Sequence, residues 1–371
     1  LREARELESK GGYTAAMAST VHVLRQIDVG DSIDLDRASR ALDHRARRAD
    51  LSKQPAGAGV VFRREPLELR LESVDIGPHR AEVRARLFDF GVVAIRFTLL
   101  APESGAELVL LAGRLAEASG AFDARAREIW QTIAGEITSA TVPWEDRAAA
   151  QLAEDFTIFV LPALPSGEMD ASRCLAHLLS GEPLERKLAP EKIQELARRA
   201  IRYYEDDLVL VDYDAAIIVD QGDVSTLVDL FEIASAQLLE LRFYEGMLGS
   251  SLEKLLKDVR MAQTAVWLFR SPFRRIAHRA ALLALELGEL SDRLERAITL
   301  KGDTYSVQVY REAASRFRLT EADASVKEKI ATISRVSEVL GHEIQTRRDL
   351  LLEGLVIVLI AFEVAMAFFR H

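Results

Sequence analysis

The chain has 371 residues, enough for two or three domains with sizeable cores. Its 58 acidic residues outnumber its 48 basic ones, and the resulting charge of −10 excludes a general nucleic-acid or anionic-lipid binder while leaving room for a local basic patch. One cysteine, Cys174, excludes an intramolecular disulfide framework and a cysteine-based zinc site, and its helix-like surroundings predict a buried thiol.

The first fifteen residues read as a charged helical tail broken at Gly11-Gly12, with no apolar stretch of the kind a signal peptide needs. Ala18 to Ile27 reads as a strand, and Asp34 to Leu42 as a helix with an acidic start. Arg45 to Gly59 is polar and rich in breakers, a predicted loop. Three strands are predicted next, over Leu67–Val74, Arg80–Leu87 and Gly91–Leu99. The first two alternate apolar with charged residues, as a half-exposed antiparallel sheet requires. Helices are predicted over Ala106–Ser119 and Ala124–Ile137.

The following section echoes the first. Asp155–Leu161 reads as a strand, Asp170–Leu179 and Pro190–Tyr204 as helices, and Asp207–Val219 as a pair of strands. Leu87-Phe-Asp-Phe-Gly-Val-Val-Ala-Ile95 and Leu210-Val-Asp-Tyr-Asp-Ala-Ala-Ile-Ile218 share Leu, Asp, an aromatic, two small aliphatics and Ile at equal spacing. The expected fold class is therefore α+β, a duplicated unit (16–150 and 151–222) built on an antiparallel-rich sheet.

Residues 223–349 change to a helical register. Leu227, Phe231, Ala234, Leu238, Leu241, Leu248, Leu252, Leu255 and Val259 step by three or four, with Glu245 the polar member. Ile276 to Ala297 and Val326 to Ile344 repeat the pattern. Three long helices with turns at Ser271-Pro272 and Lys301-Gly302-Asp303 predict an antiparallel bundle or coiled coil. Its seam, with Leu238, Leu241, Leu248 and Leu252, is the expected site of homo-oligomer formation.

The last stretch, residues 350–369, holds thirteen Leu, Ile, Val or Phe in twenty positions. As a helix it reaches roughly 30 Å, and its apolar residues contribute about −4 to −8 kcal/mol to insertion, against no more than about 3 for Glu363. The expectation is one C-terminal membrane span. Arg347 and Arg348 on its near side would place the bulk of the chain on the cytoplasmic face of the inner membrane.

Few residues suggest chemistry. Asp212, Asp214 and Asp220 alternate to one side of predicted strands, as oxygen ligands for a hard cation would. Asp89 stands at the position of Asp212 in the first unit, however, and a hairpin aspartate that caps its turn explains the shared position at least as well. His342-Glu343 opens like a zincin motif, but Thr346 occupies the place of the second histidine. Phosphate loops and nucleophile elbows are absent from the sequence, so no enzyme, cofactor or metal is predicted. Arg270, Arg274, Arg275 and Arg279 form the densest basic patch, which reads as a solvated helix start or, functionally, as a contact for anionic headgroups or for RNA or ribosomes. Glu363, an acid in a span, would face a partner helix.

Ala234-Ser-Ala-Gln237 with Leu241-Arg-Phe-Tyr-Glu245, Leu87-Phe-Asp-Phe-Gly-Val-Val93, Gly30-Asp-Ser-Ile-Asp-Leu35 and Leu359-Ile-Ala-Phe-Glu-Val364 together resemble the motifs of the "required for meiotic nuclear division" family of mitochondrial and bacterial proteins. That resemblance implies a membrane-anchored, self-associating, non-enzymatic protein, whose mitochondrial relatives support translation at the inner membrane. The function expected is a scaffold that presents its α+β domain to a protein partner.

Overall fold

A computed structural model describes residues 18–48, 59–62, 64–143, 153–165, 170–264, 273–295, 298–301 and 304–369. The tail expected over residues 1–15, the turn at Ser271-Pro272 and Arg270 lie outside them. In chain order the first half forms β1 (Thr20–Asp28), β2 (Ser32–Ile33), α1 (Leu35–Leu42), β3 (Ala46–Arg48), β4 (Gly59–Phe62), β5 (Leu67–Ile76), β6 (His79–Leu87), β7 (Val92–Leu100), α2 (Gly105–Glu117), α3 (Ser119–Ile137) and β8 (Thr141–Val142). There follow β9 (Ala153–Leu161), α4 (Ala171–Ser180), α5 (Pro190–Arg198), β10 (Leu208–Val211), β11 (Ala215–Val219), α6 (Ser225–Thr264), α7 (Phe273–Glu295), β12 (Ile298–Lys301), α8 (Thr304–Arg316) and α9 (Leu319–Phe369).

Eight strands form one sheet in the order β10-β11-β9-β1-β7-β6-β5-β3. Both sequence echoes are hairpin turns, joining β6 to β7 and β10 to β11. Their flanking strands pair differently, because β7 runs antiparallel to β1 whereas β11 runs parallel to β9. The two units thus share a single sheet without repeating its topology. β5 shows how pattern becomes register. Its apolar residues fall at 67, 69 and 71, then at 74 and 76, and a bulge between Leu71 and Val74 absorbs the change of phase. Leu67, Leu69, Val74 and Ile76 all end up buried in the same core.

Odd-numbered residues of β1, among them Val21 and Val23, join that core with the apolar sides of α1 to α5. Asp34 starts α1 by accepting from the backbone N–H of Asp36 and Arg37, each at 3.1 Å. Arg25 also faces the helices, donating to Asp123 at 2.6 Å and to the Ser119 hydroxyl at 2.8 Å. At the sheet edge, Ile201 bridges Val209 and the Arg199 guanidinium donates to the Val211 carbonyl at 2.6 Å, so β10 does not present a bare ladder. The helix predicted to continue to Tyr204 stops at Arg198 to make this cover.

Backbone hydrogen bonds hold the loop after β1 against the β6–β7 turn: Val29 donates to the Gly91 carbonyl and Ile33 to that of Asp89. Gly91 sits at φ +90°, and a Cβ there would lie 1.7 Å from the Gly30 carbonyl oxygen. No other residue fits.

By its contacts the chain divides into two units, Leu1–Glu240 with Arg296–Thr320, and Leu241–Glu295 with Glu321–His371. The first holds the sheet. In the second, Ala262, Phe273, Ala277 and Leu340 form a small core flanked by Val259, Ile276, Val336 and Ile344. Glu245, the polar member of the heptad seam, is held by the Ser325 hydroxyl at 2.8 Å and by Lys329 at 3.1 Å.

Three expectations need correction. Residues 298–301, with the last member Lys301 expected in the turn Lys301-Gly302-Asp303, form β12 and pair with β4, a strand that begins where a loop was predicted to end. Ala46–Arg48, also inside that predicted loop, pairs with β5 as an edge strand. Among the described residues, moreover, no helix is long and apolar enough to cross a membrane. The C-terminal span expected over 350–369 is therefore withdrawn. Glu353 and Glu363 bracket a charge-free run of only nine residues, about 14 Å of helix against roughly 30 Å of hydrocarbon.

Candidate functional site

The chemistry concentrates on the sheet face opposite α1 to α5. Even-numbered residues of β1, β6 and β7 point there, which brings His22, Gln26, Arg84, Arg86, Arg96 and Thr98 to one side. The first part of α6 covers them, and it is buried on every side: residues 227–241 are buried without a break. Phe231 of α6 packs on Phe156 of β9 with centroids 5.8 Å apart, and Phe317 meets Phe156 edge-on at 5.0 Å.

A helix surrounded in this way should be apolar throughout, yet it carries Asp229 and Glu232 at 4% and 1% exposure. Their partners are Arg86 and Arg96, at 3% and 7%. Asp229 Oδ1 lies 3.0 Å from Arg86 Nη1 and 3.1 Å from Arg96 Nη2. Glu232 divides its oxygens, Oε1 at 3.0 Å from Arg86 and Oε2 at 3.2 Å from Arg96. Arg86 stands opposite Ala94, so Arg96 is two residues further along the neighbouring strand. That diagonal matches two carboxylates three residues apart on a helix. At the margin Glu68 of β5 accepts from Arg86 at 3.0 Å and lies 3.7 Å from Arg84. Next along the helix, the Ser235 hydroxyl donates to Gln26 at 2.6 Å, and Gln26 donates to the Glu232 carbonyl at 3.2 Å.

Two buried arginines thus meet two buried carboxylates, and the charges cancel. Burial alone would raise the Asp229 carboxyl, but Arg86 and Arg96 outweigh it and hold the group below the usual carboxylate range. Glu232 goes the other way, raised by burial and by Asp229 and Glu68 beyond what the arginines recover. Arg86 loses hydration by burial and regains more from Asp229 and Glu232, so its charge is held more firmly than in water. His22, hydrogen-bonded through Nδ1 to the Thr98 hydroxyl at 3.0 Å, is lowered to about 3 by burial and then by Arg96 and Arg84. It is neutral at physiological pH. Taken singly, Arg86 Nη1 and Glu232 Oε1 are in ion-pair contact but poorly aligned for hydrogen bonding. The arrangement fastens a helix to a sheet and leaves its charges no access to solvent.

The residues singled out in the sequence lie elsewhere. Asp89 sits in the β6–β7 turn, with Arg64 Nε 4.0 Å away, and its carbonyl accepts from Ile33. Asp212 begins the β10–β11 turn, where its N–H donates to the Ala215 carbonyl and its carboxylate is 3.5 Å from Arg199. Asp214 lies in the same turn, its carboxyl raised by partial desolvation and by Asp212 and Asp155. No group of three or more metal-ligating residues occurs among the described residues. Arg274, Arg275 and Arg279 are exposed on the first turns of α7, and Arg270 lies outside the described residues. Glu363 is exposed on α9. Leu238, Leu241 and Leu248, expected in an oligomer seam, are buried within the chain, and Leu252 is half-buried. Cys174 is buried beside Gly105, its thiol pushed up to about 11 by burial.

The network itself went unread. Arg86 and Arg96 resemble any solvent-facing strand arginines. The available signal was on α6, where residues 226–241 hold only Asp229, Glu232 and Glu240 as charges, too few for an exposed face.

The fold and this network define an α+β domain with a mixed sheet, closed by a buried helix that is pinned by ion pairs. Residues 18–225 match the family described as "Uncharacterized protein MJ0711, N-terminal domain", and the chain belongs to that family. The uncharacterized protein MJ0711 of Methanocaldococcus jannaschii is 27% identical over 178 residues, which are 48% of this chain and 54% of that protein. The chain thus spans about half the length of this relative. The family match covers β1 to β11 and ends at the first residue of α6, so the arginines of the network lie inside it and the carboxylates of α6 outside.

Proposed function

We propose that the chain is a non-enzymatic interaction protein that self-associates through its helical unit and offers its sheet unit to a protein partner. One observation carries this reading. Leu350, Leu351, Leu352 and every apolar side chain from Leu355 to Ile360, with Phe362, are 52–67% exposed on α9. Together they expose roughly 1,000 Å² of apolar surface, beyond what a monomer normally leaves open and comparable to the ~800 Å² that one partner contributes to a standard interface. The exposure extends to all sides of the helix, which favours a bundle of α9 segments from several copies over a single pair. Light scattering of the full chain at micromolar concentration tests it. Assemblies are expected, and Leu355→Asp with Val358→Asp should dissociate them. A monomeric native chain overturns the proposal.

A second reading, an RNA- or ribosome-tethering factor, rests on the exposed Arg274, Arg275 and Arg279. Binding that falls steeply with salt and disappears when the three become Ser would favour it. The finer resemblance to the "required for meiotic nuclear division" proteins, which the family match does not supply, supports self-association and lends this second reading its translational context.

A further inference from the structure

At the β10 edge of the sheet unit the chain exposes aromatic rings in a way that its core does not require. Tyr203 and Tyr204, in the loop between α5 and β10, are 60% and 67% exposed. Their rings meet edge-on with centroids 4.8 Å apart, and Tyr305 at the start of α8 completes the surface 5.7 Å from Tyr203. The loop is held in place by Asp207, which accepts from the Tyr203 N–H at 2.7 Å, and by Arg202, which donates to the Glu205 and Asp207 carbonyls. The rings are therefore presented on a fixed backbone.

Carboxylates follow the rings in the chain, with the exposed Arg202 before them engaged by the Glu205 and Asp207 carbonyls. Glu205 and Asp206 follow directly and are exposed. Leu208 pairs with Val219, which brings Asp220 out of the sheet beside Asp207. Exposed tyrosine faces attract cations through the ring quadrupole, most strongly a planar guanidinium that can also fork onto a carboxylate. Tyrosine and arginine are also the residues most enriched at the centres of protein interfaces. A phosphate-bearing partner would be repelled by the same carboxylates.

We infer that Tyr203, Tyr204 and Tyr305, with Glu205, Asp206 and Asp220, dock an arginine-bearing segment of a protein partner. This names the partner class for the interaction reading above and rests on it. The guanidinium groups lie against the rings, and the carboxylates draw the segment in and set its orientation.

The test is titration of a fluorescent arginine–glycine repeat peptide into the full chain, with a glutamate–glycine repeat as the control. The arginine peptide is expected to bind and the glutamate peptide not to. Tyr203→Ala with Tyr204→Ala should weaken binding about tenfold, the equivalent of ~1.4 kcal/mol, and Tyr203→Phe with Tyr204→Phe should retain it. Glu205→Gln with Asp206→Asn should weaken binding and flatten its salt dependence. Circular dichroism and the urea midpoint should not move in any of these variants, because the altered side chains are exposed. Absence of arginine-peptide binding overturns the inference. Binding that the alanine pair leaves unchanged does so as well, since it would reflect only the net charge of −10. The assembly measurement stands apart: a chain that assembles but ignores the peptide loses this inference alone, and a monomer that binds it loses only self-association.

Discussion

Two stretches of helix in this protein invert the usual relation between hydropathy and burial. The start of α6 carries Asp229, Glu232 and Glu240 and is buried on all sides, whereas the end of α9 from Leu350 to Phe362 is almost wholly apolar and exposed. What separates them is the surface each one meets. The sheet under α6 offers two arginines at the spacing of its two carboxylates, so charges are paired rather than stranded. Along that end of α9, from Leu350 to Phe362, no described residue covers the apolar side chains. Hydropathy therefore describes what an element needs from its surroundings; whether the need is met is decided by what packs there.

The comparison can be broken most sharply at the network. Asp229→Ala leaves Arg86 and Arg96 buried with half their counter-charge and should cost ~3–5 kcal/mol, read as a lower urea midpoint. A double-mutant cycle with Arg96→Ala should show a coupling of at least ~1 kcal/mol, and additive losses would mean that the pair is not interacting. Phe231→Ala, on the same buried turn and against Phe156 and Phe317, should also cost ~3–5 kcal/mol.

Acid should act on the buried network, beside smaller losses at the Asp34 cap and the Glu245 contacts, whose carboxyls are also held low. His22 is depressed from 6.5 to about 3, so the unfolded chain takes up its proton first. Its contribution to stability is complete above about pH 6.5 and is lost as the pH falls towards 3. Asp229, also depressed, adds to that loss at the lower end. Arg84, Arg96 and Asp229 are the charged groups that set the imidazole's environment. Urea midpoints across this range should fall with pH in the native protein and less steeply in His22→Gln. Parallel curves for the two would show that the histidine carries none of the slope. The smallest effect belongs to the other helix. Val358→Ser on α9 should change the stability of the single chain by no more than ~0.5 kcal/mol, because the side chain is already exposed. A loss near that of Phe231→Ala would show that the segment is packed after all.

Much of the sheet unit was legible in the chain. Alternation marked β5 and β6, Asp34 announced the start of α1, and the paired Asp89 and Asp212 marked two hairpin turns. These features are local, set by a period of two or 3.6 residues and by side chains that bond their own backbone. β3, β4 and β12 were missed because short strands exist only through their pairing. Each has a partner distant in sequence, β12 with β4 and β3 with β5. Arg86 and Arg96 were legible as strand residues but not as a site. Periodicity reports which residues share a face, and the sheet alone would leave that face in water. Only the return of α6, more than a hundred residues later, turned two ordinary strand arginines into a buried pair. The reach of that helix across the sheet, and the absence of any described surface against the apolar end of α9, follow from long-range packing, which no local pattern encodes.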